Sequence, residues 1–151
     1  MQFVEIILNI LMVGTGIILC IQDFSRQAVN LLVLVIFTIS CCSRTVFGHI
    51  PCYWPFVILV IIGIIYRFIR KRSAFGLADY IATFAISFII SSDNWHIFLM
   101  LCGWIGILIG IIQKSNETNH IPFIPAILIS ALITRIQLLD FFQIPHNQIY
   151  Y

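Results

Sequence analysis

Residues 3–21 read FVEIILNILMVGTGIILCI, nineteen positions that carry a single charge, at Glu5, among aliphatic side chains. A helix needs roughly 20 residues to cross the ~30 Å hydrocarbon core of a bilayer, and this stretch has that length and character. Five further apolar runs follow it, over 28–42, 54–68, 74–90, 95–112 and 121–139. Pro51 and Pro55 precede or open the third of the six runs, and Pro122 and Pro125 the sixth. Proline is suited to such loops and to first helical turns, because its φ is fixed and it lacks an N–H. Membrane strands would alternate apolar and polar residues, and these runs do not. Backbone in lipid must satisfy its own hydrogen bonds, which leaves helices. The runs predict an all-α polytopic membrane protein, a bundle of about six transmembrane helices forming a single domain over residues 1–151.

Composition agrees. The 151 residues are 61% hydrophobic and 9% charged, with a mean hydropathy of +1.06. A soluble domain carries about 25% charged residues, so too few remain here to coat a water-facing exterior. A net charge of +2 is too small for an electrostatic footprint on DNA or RNA, which excludes nucleic acid as a partner. Membrane lipid is the expected surrounding. The N-terminal run carries Glu5, has no basic start and exceeds signal-peptide length, so it reads as a retained helix.

The basic residues orient the chain. Arg26 lies in the first connection, Arg67, Arg70, Lys71 and Arg72 in the third, and Lys114 in the fifth. The second connection has Arg44 and the fourth only Asp93. The positive-inside rule then places connections one, three and five in the cytoplasm and both termini outside. The expected location is the cytoplasmic (inner) membrane.

Charge at membrane depth is costly and demands a reason. Asp23 closes the first run and Asp79 lies just inside the fourth. An odd helix ends, and an even one begins, at the same membrane face, so both carboxylates are expected at the cytoplasmic end. Helical spacing turns both inward. Asp79 belongs to the stripe Gly76, Asp79, Thr83, Ser87, Ser91, and Asp23 extends Asn9, Gly16 and Cys20 along the first helix. Small and polar faces point into membrane bundles. Two carboxylates brought together in a low-dielectric site share one proton, and such a pair titrates as a unit. One member activates water while the other donates to a scissile carbonyl. The same positions also suit a purely structural role, with Asp23 an interfacial helix end and Asp79 an N-terminal cap.

Other polar residues read more plainly. Glu5 is expected to snorkel, and Arg135 to reach the outer interface near Asp140. His49, His96, His120 and His146 have no metal-ligand spacing, and Cys20, Cys41, Cys42, Cys52 and Cys102 contain no C-x-x-C. No metal or cofactor is implied. Gly106 and Gly110 read as a close helix contact within the chain.

Three segments together resemble the type IV prepilin peptidases and their archaeal preflagellin relatives. Ile21-Gln22-Asp23-Phe24-Ser25-Arg26-Gln27-Ala28-Val29 is similar to the segment of the family's first catalytic aspartate. Gly76-Leu77-Ala78-Asp79 is similar to its Gly-x-Gly-Asp, and Ile121-Pro122-Phe123-Ile124-Pro125-Ala126 to its late Pro-Phe-Gly-Pro. Ala78 and Ile124 stand where the family has glycine, Asn30 where proline is common, and Ile81 where a lysine follows the second aspartate.

The resemblance implies a membrane-embedded aspartic endopeptidase with Asp23 and Asp79 as its catalytic pair. Gly76 and Ala78 would shape the turn at the second aspartate, and Pro122 and Pro125 the late motif. Arg26 would orient Asp23 or set topology, and topology is the favoured reading. The implied substrate is a prepilin-like or pseudopilin-like protein of type IV pilus or secretion systems, with a basic leader and a hydrophobic helix. The paired cysteines of the family's methylating members are missing, which implies peptidase activity alone. Two alternatives stay open: an inactive relative that binds pilin-like helices, and a small membrane scaffold or transporter subunit.

Overall fold

A computed structural model describes residues 2–26, 28–71, 75–113 and 122–141. Arg72, Lys114, His120, Ile121 and His146 lie outside the described residues, as do the side chains of Arg26 and Asp140. The described residues form six α-helices, α1 (Gln2–Arg26), α2 (Leu31–Cys42), α3 (Trp54–Arg70), α4 (Leu77–Ile86), α5 (Trp95–Gln113) and α6 (Ile124–Phe141), with a 3-10 turn over Ser43–Phe47 and no strand. Two stretches, Phe3–Ser25 and Trp95–Ile112, are long and apolar enough to cross a membrane, with hydropathies of 2.4 and 2.2. Little of either is covered by the protein itself, whereas the core helix of a soluble protein would be mostly buried.

Helix α1 continues a turn past its apolar run, so Asp23 sits inside the helix and not in a connection. Hydropathy falls at Gln22, but helical geometry does not need it, and Ser25 Oγ donates to the Ile21 carbonyl at 2.6 Å. Helix α2 begins three residues later than its apolar run. Asn30 is its N-cap, and the Asn30 side chain accepts from the Leu32 N–H at 2.9 Å. The 3-10 turn stops at Gly48, whose φ of +84° is the left-handed conformation glycine adopts without strain.

Helix α4 is shorter than its run. Beyond Ile86 the backbone passes into tighter turns, with the Ser87, Phe88 and Ile89 N–H groups each bonding three residues back. The Ser87 carbonyl instead accepts from the Cys52 N–H at 2.8 Å, which ties the end of α4 to the start of α3.

Helices α4 and α6 occupy the centre. The first packs on α2, α3 and α6, and α6 packs on α1, α4 and α5. Their buried faces carry Ala82, Thr83, Ala85 and Ile86, and Ile124, Ala126, Ile127 and Ser130. Small residues set the close approaches. A Cβ at Gly16 would touch Phe37 and Leu128 at 3.6 and 3.7 Å, which fits α1 between α2 and α6. A Cβ at Gly106 would meet the Phe123 ring at 3.2 Å, so Gly106 serves the α5–α6 contact. Gly63 lies directly under the Tyr80 hydroxyl, joining α3 to α4. Outward faces are aliphatic and aromatic throughout, with Phe3, Ile10, Leu32, Ile64, Phe68, Trp104 and Ile111 all exposed.

The two ends differ. At one end Trp54 and Trp95, at the starts of α3 and α5, stack with ring centroids 6.3 Å apart. Glu5, expected to snorkel at this end, keeps 40% of its side chain exposed but also has a partner. Glu5 pairs with Arg44 at 3.3 Å, and Arg44 is only 3% exposed. The turn Ser43–Phe47 brings the arginine back over the start of α1, and a buried guanidinium must find a counter-charge. At the other end lie Arg67 and Arg70 of α3 and its C-cap Lys71, together with Asp23 and Asp79.

Candidate active site

Three stretches distant in the chain meet at the basic end. The first is the end of α1, whose inward face carries the buried Thr15, Gly16 and Leu19 and then the half-buried Cys20, Gln22 and Asp23 at spacings of three and four. The second is the start of α4, and the third the start of α6. Asp23 Oδ2 accepts the backbone N–H of Ile124 at 3.0 Å, binding the end of α1 to the first residue of α6. Helix N-termini present unpaired N–H groups, and the Asp23 carboxylate supplies one of them with an acceptor.

Asp79 is the third residue of α4. Its Oδ2 accepts from the Gly76 N–H at 2.8 Å, the reach-back half of a capping box. It is half-buried, at the same end of the bundle as Asp23. The segments before α4 and α6 also touch. The Phe75 and Phe123 rings are 5.0 Å apart, and Phe75 meets Tyr80 edge-on at 6.0 Å. These rings form an apolar flank beside the two acids.

The polar stripe of α4 faces inward as its spacing predicts, with Thr83 and Ser87 buried. Their hydroxyls are spent on the helix itself. Thr83 Oγ1 donates to the Asp79 carbonyl at 2.8 Å and Ser87 Oγ to the Thr83 carbonyl at 3.0 Å.

Gly76 is exposed, with φ −76° and ψ 162°, an extended conformation open to any residue. A Cβ there would lie 3.6 Å from Asp79 Oδ2, in ordinary contact. The glycine therefore leaves space beside the carboxylate, and no unusual turn depends on it. Ala78 packs its methyl against the core. Pro122 and Pro125 are buried, and Pro125 is the second residue of α6, where its missing N–H costs nothing. Arg26 ends α1.

Sequence reasoning did not single out Gln22, which belongs to this end as well. Gln22 Oε1 accepts the Asn30 N–H at 3.0 Å and so couples the last turn of α1 to the cap of α2. Its place beside Asp23 on the inward face was the available signal. The Ile124 N–H had none, because a backbone donor leaves no mark in side-chain identity. Among the described residues no group of three or more His, Cys, Asp or Glu gathers as a metal site. Compared with family models, with curated proteins and with solved structures, the chain matches none.

Chemically, the end of the bundle offers two carboxylates, each accepting a backbone N–H at the start of a helix. A helix N-terminus steadies one, and an open position beside Gly76 adjoins the other.

Proposed function

We propose that this chain is a membrane-embedded aspartic endopeptidase with Asp23 and Asp79 as its catalytic pair. Its substrate is the leader of a prepilin-like or pseudopilin-like protein. The observation that carries the reading is the convergence at one end of the three segments resembling the prepilin peptidases, linked by Asp23–Ile124 and Phe75–Phe123. Six helices cross the cytoplasmic membrane in this reading, with Arg67, Arg70 and Lys71 on the cytoplasmic side and both termini outside. The stacked Trp54 and Trp95 then sit at the opposite interface, where aromatic residues are enriched.

The mechanism needs no metal. The helix-steadied Asp23 and its neighbour share one proton. The ionised member takes a proton from water, which attacks the scissile carbonyl, and the protonated member donates to the carbonyl oxygen. Collapse of the tetrahedral intermediate returns a proton to the leaving amine. The hydrophobic part of the substrate stays in lipid, and the basic leader stays in the cytoplasm.

One observation favours a second reading. Both carboxylates already accept backbone N–H groups as helix caps, which is what an inactive relative that only binds pilin-like helices would retain. The two readings separate on purified protein reconstituted in liposomes with a panel of leader-bearing substrates. The peptidase reading expects cleavage at one bond, lost in Asp23→Asn and in Asp79→Asn. Cleavage that persists in both variants removes it.

A further inference from the structure

Each carboxylate of the pair accepts a backbone N–H, and each donor directly follows a phenylalanine. Gly76, which donates to Asp79 at 2.8 Å, comes after Phe75. Ile124, which donates to Asp23 at 3.0 Å, comes after Phe123. The two rings meet, with centroids 5.0 Å apart and planes inclined at 46°. The ring pair therefore joins the two backbone positions on which the acids are mounted.

The hydrogen bonds alone do not set one acid against the other. The Gly76–Asp79 bond lies within the first turn of α4, and the Asp23–Ile124 bond ties α1 to α6. Neither fixes the approach to α4 relative to the approach to α6. The two helices pack on one another, but Gly76 lies ahead of α4, exposed and with extended backbone. The ring contact carries the constraint out to it.

Both rings are braced from behind. Phe123 and Ile124 stand between Pro122 and Pro125, whose fixed φ stiffens the segment. The Phe123 ring lies 3.2 Å from where a Cβ at Gly106 of α5 would sit. Phe75 meets Tyr80 edge-on at 6.0 Å, and the Tyr80 hydroxyl rests on Gly63 of α3. One row of contacts, Gly106, Phe123, Phe75, Tyr80 and Gly63, thus crosses the site from α5 to α3.

We propose that Phe75 and Phe123 are positioning residues, which set the spacing of Asp23 and Asp79 through the Gly76 and Ile124 N–H groups. Their role in catalysis rests on the peptidase reading, whereas their hold on the two donors does not. A misplacement of about 1 Å in a reacting group costs up to ~10²-fold in rate, so such a contact acts on turnover.

The test compares the unaltered chain with Phe75→Leu, Phe123→Leu, the double variant and Phe75→Tyr, with two readouts. The first is amide hydrogen exchange in detergent micelles, which needs no substrate. Phe75→Leu is expected to speed exchange at Ile124 by roughly three- to tenfold, the worth of one aromatic pair, with Leu32 at the start of α2 unchanged. The second is steady-state cleavage of a panel of leader substrates in liposomes. Each leucine variant is expected to lower kcat about tenfold or more with KM within about twofold, and Phe75→Tyr to keep both values. The double variant should lose no more than the worse single one, because both act through one contact.

Unchanged exchange at Ile124 in Phe75→Leu overturns the proposal, whether or not the chain cleaves. A loss carried by KM with kcat intact overturns it too, since the rings would then serve to bind substrate. Cleavage missing from the unaltered chain, with the exchange pattern as expected, removes the peptidase reading and leaves the hold on both donors standing. Should Phe123→Leu fail to fold against α5, the half-buried Phe75 decides alone.

Discussion

Asp23 Oδ2 lies 3.0 Å from the backbone nitrogen of Ile124, across a separation of 101 positions in the chain. One carboxylate in the last turn of α1 thus caps α6 and occupies the candidate site. Cap and chemistry can be separated by substitution. Asp23→Asn keeps an acceptor oxygen for Ile124, whereas Asp23→Ala leaves that N–H without one. Asp23→Ala is expected to lower stability by ~1–2 kcal/mol, and Asp23→Asn by clearly less. Thermal unfolding in detergent micelles reads the difference. Equal losses would show that the bond contributes little.

Asp79 tests the chemistry more directly, since its Gly76 bond lies within one turn. Asp79→Asn is expected to reduce leader cleavage by at least ~10²-fold, the scale of a lost acid–base group, with insertion and unfolding nearly unchanged. The measurement is leader release by mass spectrometry beside an unfolding curve for the same preparation.

The Glu5–Arg44 pair sets a buried cation against a partner that is 40% exposed. Removing only the acid strands the guanidinium. Glu5→Gln is expected to destabilise by ~1–2 kcal/mol, below the range for fully buried pairs because Glu5 is partly screened. Adding Arg44→Met should recover part of that loss. A double-mutant cycle of unfolding midpoints measures the coupling, and additive single losses would count against it.

Two glycines divide by what a methyl would meet. At Gly63 it would collide with the Tyr80 hydroxyl, while at Gly103 it finds open space. Gly63→Ala should cost ~1–3 kcal/mol as α3 and α4 are pushed apart. Gly103→Ala should be neutral or stabilising by up to ~1 kcal/mol, from helix propensity. Unfolding of the two variants side by side gives the ranking.

Asn30 caps α2 with its side chain and bonds to Gln22 through its backbone. Asn30→Ala is expected to lose ~0.5–2 kcal/mol, and Asn30→Asp to lose little, because aspartate caps as well. Hydrogen exchange at Leu32 and Leu34 should rise in the alanine variant and stay protected in the aspartate one.

Helix positions were legible because apolar runs report their own burial in lipid or core, and all six runs correspond to helices within a few residues. The inward faces of α1 and α4 were legible for the same reason, since spacing of three and four is a property of any helix. Ends were not. Asn30 and the turn at Ile86 move boundaries through single hydrogen bonds that hydropathy does not register. The Glu5–Arg44 pair was likewise invisible, because it depends on how the chain returns after α2.

By itself, the sequence determined that this chain is helical, that two aspartates lie at the basic end, and that the α4 stripe faces inward. These follow from periodicity and charge, which act locally along the chain. Only the tertiary structure decided that the Asp23 carboxylate meets the start of α6, that Phe75 meets Phe123, and that Arg44 is buried on Glu5. Such contacts depend on which helices pack together. Packing is a sum over the shapes of many small interfaces at Gly16, Gly63 and Gly106, and no single stretch of sequence carries that sum.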